Sequence, residues 1–295
     1  MGSRLGIRST ERPTDLGAVR WIHGAADCDR STDPPIQVVA YDDDTFVLRQ
    51  SKCVNFEAPF MYLLFGADTV LLHDTGATAA PSLFPLRRTV DEIIAARGPR
   101  HGAEPRLIVS HTHGHGDHRA ADGQFADLPA GSVAGIGAEE VAAFFGIADW
   151  PAGEATLDLG DRPLDVLPTP GHAPDHVMLF DRTRALLLSG DAFYPGWLFA
   201  RDWPMFRASA RRAAAFARAT AAAGHPIRHV LGAHIEATSR PGELYEYGTT
   251  YQPDEAPLPL TVDDLFALGA ALDEAGHTPR RIRFDRFAVE PEPPA

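Results

Sequence analysis

The sequence predicts a single α+β domain: a two-layer β core flanked by helices. Three observations lead there. Segments rich in β-formers and helical segments follow one another in the order β, α/β, β, α/β. No Pro/Gly/Ser-rich linker divides the chain. Its 295 residues, 44% of them hydrophobic, supply a core for one large domain.

The elements follow in order. Residues 1–35 are polar and irregular and read as an N-terminal arm, and the domain proper spans 36–290. Ile36 to Tyr41 and Thr45 to Arg49 flank three aspartates and predict a hairpin. Phe60 to Phe65 and Thr69 to His73 flank Gly66-Ala67-Asp68 and predict a second. Val90, Ile93, Ile94 and Arg97 share one helical face, and Gly98-Pro99 ends that helix. Leu107 to Ser110 is a short apolar strand. A helix over Ala138 to Phe145 comes next, then strands over Leu164 to Leu167, Val177 to Phe180 and Ala185 to Leu188. An Ala-rich helix fits Ala208 to Ala223, a strand His229 to Leu231, and a last helix Val262 to Glu274. The Pro-rich residues 291–295 should form a loose tail.

Composition excludes some functions. The net charge of −13 repels phosphate backbones and disfavours nucleic acid as a partner. No apolar run approaches the roughly 18 residues of a membrane span. The first thirty residues carry no apolar signal-peptide core, so a cytoplasmic location is expected. Cys28 and Cys53 are too few for a disulfide framework or a four-thiolate zinc site, and are expected to be buried thiols in a reducing compartment.

Chemistry concentrates in residues 110–118, Ser-His-Thr-His-Gly-His-Gly-Asp-His, directly after a strand. Imidazole nitrogens and carboxylate oxygens are the donors that a borderline cation such as Zn²⁺ takes, and glycines let a loop curl so that alternate side chains converge. His172, Asp191 and His234 each sit among small residues where another apolar run stops. Three further donors at strand ends point to convergence on one site.

These residues carry a resemblance to the metallo-β-lactamase-fold hydrolase superfamily. His113-Gly114-His115-Gly116-Asp117-His118 matches its His-x-His-x-Asp-His motif, and His172, Asp191 and His234 match its later ligands in order. Asp74, in Leu72-His73-Asp74-Thr75-Gly76, matches its early aspartate. The resemblance runs from about residue 36 to 236. It implies a four-layer αβ/βα sandwich with two zinc ions at one edge, iron or manganese being alternative metals. One ion would take His113, His115 and His172, the other Asp117, His118 and His234, with Asp191 bridging. It also implies a metal-bridging hydroxide as nucleophile, proton steering by Asp117, and Asp74 orienting a histidine ligand. His111 falls outside the family's ligand register and is expected to be structural. His73 and His176 are expected to support the site. His23, His101, His225, His229 and His277 have no such context.

On the substrate side, six aromatics crowd Phe193 to Phe206, where Pro and Gly oppose a regular helix. This segment is expected to wall a small-molecule pocket. Tyr194 is placed as in the acyl-homoserine lactonases of the superfamily, which use a tyrosine there to hold the substrate carbonyl or its oxyanion. Phe56 to Tyr62, Ile235 to Thr238 and Tyr245 to Tyr251 are further candidate walls. The expected function is a dinuclear zinc hydrolase of an ester, lactone or thioester, with β-lactamase-type amide hydrolysis or iron-dependent oxidoreduction as alternatives. A homodimer is left open.

Overall fold

The computed structural model describes residues 12–98 and 104–292. His101, the extreme N-terminus and residues 293–295 lie outside them. The strands are β1 (Ile36–Asp42), β2 (Thr45–Gln50), β3 (Phe60–Phe65), β4 (Thr69–His73), β5 (Arg106–Ser110), β6 (Ala155–Asp158), β7 (Pro163–Pro168), β8 (Val177–Asp181), β9 (Leu186–Gly190), β10 (Trp197–Ala200), β11 (His229–Gly232), β12 (Pro259–Leu260), β13 (Ile282–Arg283) and β14 (Ala288–Pro291). The helices are α1 (Leu86–Arg97), α2 (Gly116–Arg119), α3 (Ala138–Phe145), α4 (Trp203–Ala222) and α5 (Val262–Ala275).

Two sheets face each other. One runs β1-β2-β3-β4-β5, and the other β12-β11-β9-β8-β7-β6. A small sheet, β10-β14-β13, lies beside the second. Between the two main sheets Val47, Tyr62, Leu64 and Leu71 meet Val166, Leu179, Leu188 and Leu231. On the outer face of the first sheet Leu48, Leu63 and Leu72 bury against Leu86, Val90 and Ile93 of α1. On the outer face of the second, Leu167, Phe180 and Val230 bury against Ala210 and Ala213 of α4 and Leu268 of α5. This is the expected four-layer αβ/βα sandwich. Because β3, β8 and β9 are covered on both faces, they read as uninterrupted apolar runs rather than alternating ones.

The structure departs from the sequence expectations in four places. Helix α4 begins at Trp203, not Ala208: the Asp202 carboxylate accepts from the Met205 N–H at 3.0 Å, and Pro204 occupies the first turn, where no N–H is required. Half of the aromatic cluster is core, not cavity wall, since Phe193, Trp203 and Phe206 pack between the second sheet and its helices. The arm is partly core as well, with Leu16 and Trp21 buried between the sheets. Pro291 ends β14, and Glu292 N–H reaches the Ala200 carbonyl, so the expected loose tail is held at least through Glu292.

The cysteines are a further correction. Cys28 and Cys53 are joined in a disulfide that ties the N-terminal segment to the loop after β2. They are not separate thiols, and disulfides persist in oxidising compartments, so the cysteines give no support to a cytoplasmic location. Among the described residues no helix is long and apolar enough to cross a membrane.

Candidate metal centre

The C-terminal ends of β4, β5, β7, β9 and β11 lie along one edge of the sandwich and deliver Asp74, residues 111–118, His172, Asp191 and His234 there. β4 pairs parallel to β5, and β9 parallel to β11, which aligns those ends. Gly190, at φ +51°, permits the approach: a Cβ there would lie 2.7 Å from His176 Nε2 and 2.8 Å from Thr112 Cβ.

The donors fall into two groups, His113, His115 and His172, and Asp117, His118, Asp191 and His234. In the first, His115 Nδ1 lies 2.7 Å from His113 Nε2 and 3.0 Å from His172 Nε2. In the second, Asp117 Oδ2 lies 3.1 Å from His118 Nε2 and 3.4 Å from His234 Nε2. Asp191 spans both. Its Oδ2 is 3.4 Å from His118 Nε2, 3.5 Å from His172 Nε2 and 3.9 Å from His113 Nε2, while Oδ1 is 3.3 Å from His234 Nε2.

This donor set fits cations. His118 Nε2 and Asp191 Oδ1 are buried without a hydrogen-bond partner, a costly state for protein atoms alone. Burial holds His172 down at about 4 and His113 well below the usual imidazole range, so both present neutral nitrogens. Burial also disfavours charge on His118 and His234, yet the facing Asp117 and Asp191 raise both well above it. The carboxylates demand positive charge between them, and a metal supplies it without protons.

The far side of each ring is fixed. His118 Nδ1 faces Asp74 Oδ2 at 3.0 Å, and Asp74 Oδ1 accepts from the Thr112 N–H at 2.7 Å. Burial pushes the Asp74 carboxyl up, but His118, His73 and the Thr112 N–H together hold it below its ordinary value. His172 Nδ1 donates to the Phe199 carbonyl at 3.1 Å, and His234 Nδ1 to the Glu57 carbonyl at 3.0 Å. These bonds select the tautomers that aim Nε2 inward at all three positions. His115 is reversed in orientation: Nδ1 points inward and Nε2 accepts from Arg201 Nη1 at 2.9 Å, a contact that must give way before Nδ1 can offer its lone pair to a cation. His176 Nδ1 meets Thr169 Oγ1 and its Nε2 accepts from the Ala192 N–H, steadying the turn that carries Asp191. His73 bonds Ser110 Oγ, and His111 bonds Asp122 away from both groups.

A cavity of about 440 Å³ opens on the centre, lined by Tyr194, Phe199, Arg201, Glu236, Tyr247 and Glu57 among others. Each of the four candidate walls reaches it: Glu57 from the first, Tyr194, Phe199 and Arg201 from the aromatic segment, Glu236 and Tyr247 from the other two. The Tyr194 hydroxyl is already engaged, 2.5 Å from the Trp197 carbonyl and 3.0 Å from Glu236 Oε2. It must release these partners before it can donate to a substrate. Sequence reasoning singled out neither Thr112 nor Glu292, and reached Phe199 and Arg201 only as members of the aromatic segment. Arg201 Nε pairs with Glu292 Oε2 at 3.1 Å across 91 positions, and no local pattern announces such a pair.

A family model, the metallo-beta-lactamase superfamily, matches residues 54–225. The chain belongs to that superfamily. A hydroxyacylglutathione hydrolase from Anaeromyxobacter dehalogenans is 39% identical over 94 residues, 32% of this chain and 35% of that protein. The human acyl-coenzyme A thioesterase MBLAC2 is 45% identical over 47 residues, 16% of each chain. The alignments thus span about a third or less of these curated relatives. Among solved structures, a metallo-beta-lactamase from Erythrobacter litoralis superposes with a TM-score of 0.52 at 15% identity, covering 83% of this chain and 99% of that one. That likeness is one of fold.

Proposed function

We propose that the chain is a dinuclear zinc hydrolase that opens an ester, lactone or thioester bond of a small organic substrate. The observation that carries this reading is Asp191, one buried carboxylate within reach of both histidine groups at the floor of an open cavity. His113, His115 and His172 would hold one ion, and Asp117, His118 and His234 the other, with Asp191 shared. Bound zinc lowers the pKa of water toward about 7 and polarises a carbonyl. The protein's own residues do the rest. Asp74 and the carbonyls of Phe199 and Glu57 keep the rings oriented. Asp117 is partly open to the cavity and can hold the proton taken from water and deliver it to the leaving group.

The cavity lining supports a neutral acyl substrate. Glu57, Glu236 and Glu292 face it beside the metal-site carboxylates, and Arg201 is the single arginine or lysine along it among the described residues. A thiol carrier with several negative charges would meet more carboxylates than cations.

The test is turnover of a panel of carboxylic esters, lactones and thioesters by zinc-loaded protein, and by the same protein after chelation and re-addition of zinc. We expect hydrolysis of at least one neutral acyl class, lost on chelation and restored by zinc. Metal-loaded protein inert to the whole panel would overturn the reading.

A further inference from the structure

A second cavity of about 470 Å³ lies against the first, and the two share His115, His172 and Arg201 along their common boundary. Its remaining wall is largely apolar: Ala138 at the start of α3, Trp150, Pro151, Pro170, Pro174 and Met205. The one acid among its lining residues, Asp202, is spent on capping α4. We propose that this annex is the acyl-chain subsite of the centre, and that it takes a medium-length aliphatic acyl group. The proposal rests on the hydrolase reading above.

The annex is a built feature. Arg212 of α4 binds the carbonyls of Pro151, Ala152 and Gly153, the last at 2.9 Å, and so pins the Trp150 loop to the helix. Gly171, at φ +136°, lets the His172 turn lie on α4; a Cβ there would come within 2.3 Å of Phe206 Cα. The Asp202 N–H donates to the Gly171 carbonyl at 2.9 Å and fixes that contact. Both walls are thus tied to one helix, which suits a preformed apolar pocket of ligand size.

Its position sets which part of the substrate enters. Asp117 and His234 occupy the opposite end of the centre, and the leaving group must depart where Asp117 can protonate it. The acyl portion then extends the other way, past His115 and His172, into the annex. Arg201 stands at the threshold, with Nη1 on His115 and Nε on Glu292. It is half exposed there, placed to meet the carboxylate that hydrolysis leaves on the acyl chain.

Binding of straight-chain carboxylates, from acetate to octanoate, to the zinc-loaded protein tests this without turnover. Calorimetry should show Kd tightening by up to about fourfold per added methylene, the scale of burying one CH₂. Octanoate should also change the tryptophan fluorescence, and Trp150→Phe should remove that change. Ala138→Trp fills the annex from α3 and Met205→Trp from α4, so one serves if the other fails to fold. Each should flatten the dependence on chain length. Equal affinity for acetate and octanoate, or a dependence that survives both substitutions, overturns the proposal. The two readings fail separately. Chain-dependent carboxylate binding without ester turnover sinks the hydrolase and keeps the annex. Turnover of acyl esters with no preference for chain length, and no tighter binding of octanoate, sinks the annex and keeps the hydrolase.

Discussion

Asp74→Asn exchanges one oxygen for nitrogen at the residue that aims His118. Asp74 is fully buried and sits at φ 72°, a left-handed conformation that asparagine also tolerates, so the backbone should stay in place. The hydrogen bonds cannot all survive. The carboxylate accepts from Thr112 N–H at 2.7 Å and meets His118 Nδ1 at 3.0 Å. With its carbonyl turned to Thr112, the new amide presents NH₂ to the Nδ1–H of His118, donor against donor. The ring must turn or change tautomer, and either moves Nε2 off the line to Asp117 and Asp191. Loss of such an outer partner costs about 10–100-fold in metal affinity, roughly 1.4–2.7 kcal/mol. The effect should fall mainly on the His118 group, because His172 is aimed by the Phe199 carbonyl and His113 meets Asp74 only indirectly, through the Thr112 hydroxyl 3.1 Å from its Nδ1. Competition against a chromophoric chelator should resolve two zinc affinities in the native protein if the proposed centre is dinuclear. We expect one to weaken by about 10–100-fold and the other to change by less than about threefold. Two unchanged affinities, or equal loss at both, would refute the assignment of Asp74 to the second group.

Other perturbations bear on neighbouring parts of the structure. Tyr194→Phe leaves the Trp197 carbonyl and the buried Glu236 short of a donor, and should lower unfolding free energy by about 1–3 kcal/mol in urea titrations; unchanged stability would show that the hydroxyl is free for substrate. Reducing the Cys28–Cys53 disulfide opens a loop with a sequence separation of 25, and the chain-entropy relation gives a loss of about 3.5 kcal/mol. Thiol titration of the unreduced, denatured protein should find no free cysteine, and finding two would contradict the pairing. Burial holds His73 down at about 4 against 6.5 for an ordinary imidazole. The unfolded chain therefore binds the extra proton first, and stability that is complete above about pH 6.5 is lost as pH falls to about 4, by about 3 kcal/mol from this residue. In metal-free protein His73→Gln should lessen that acid-side loss, and an identical pH dependence in both proteins would remove His73 as its source.

How much was legible in the sequence follows from where each signal resides. β3, β8 and β9 are buried on both faces, so their apolar runs mark them directly. The donors announce themselves because each stands at the end of such a run. The Ala-rich run starts helix α4 more than a turn too late, although the sequence carries the true start: Asp202-Trp203-Pro204 is an N-cap followed by a first-turn proline, masked by the aromatic residues around it. The pairing of Arg201 with Glu292 was not legible, nor was the disulfide, since sequence separation fixes neither. Glu57 holds His234 through its backbone carbonyl, a role that any residue type could fill and no sequence pattern reveals. The short strand β14 exists through pairing with β10, and β13 through pairing with β14, and their own residues give little β signal.

The metal-to-protein ratio of the purified chain, set beside that of Asp191→Ala, addresses the shared-carboxylate centre most directly. Elemental analysis should find about two zinc ions per wild-type chain if the proposed centre, two donor groups joined by one carboxylate, is filled. The substituted protein should hold at most one, with its fold intact by circular dichroism. One ion per wild-type chain, or two ions retained without Asp191, would contradict a dinuclear centre bridged at that residue.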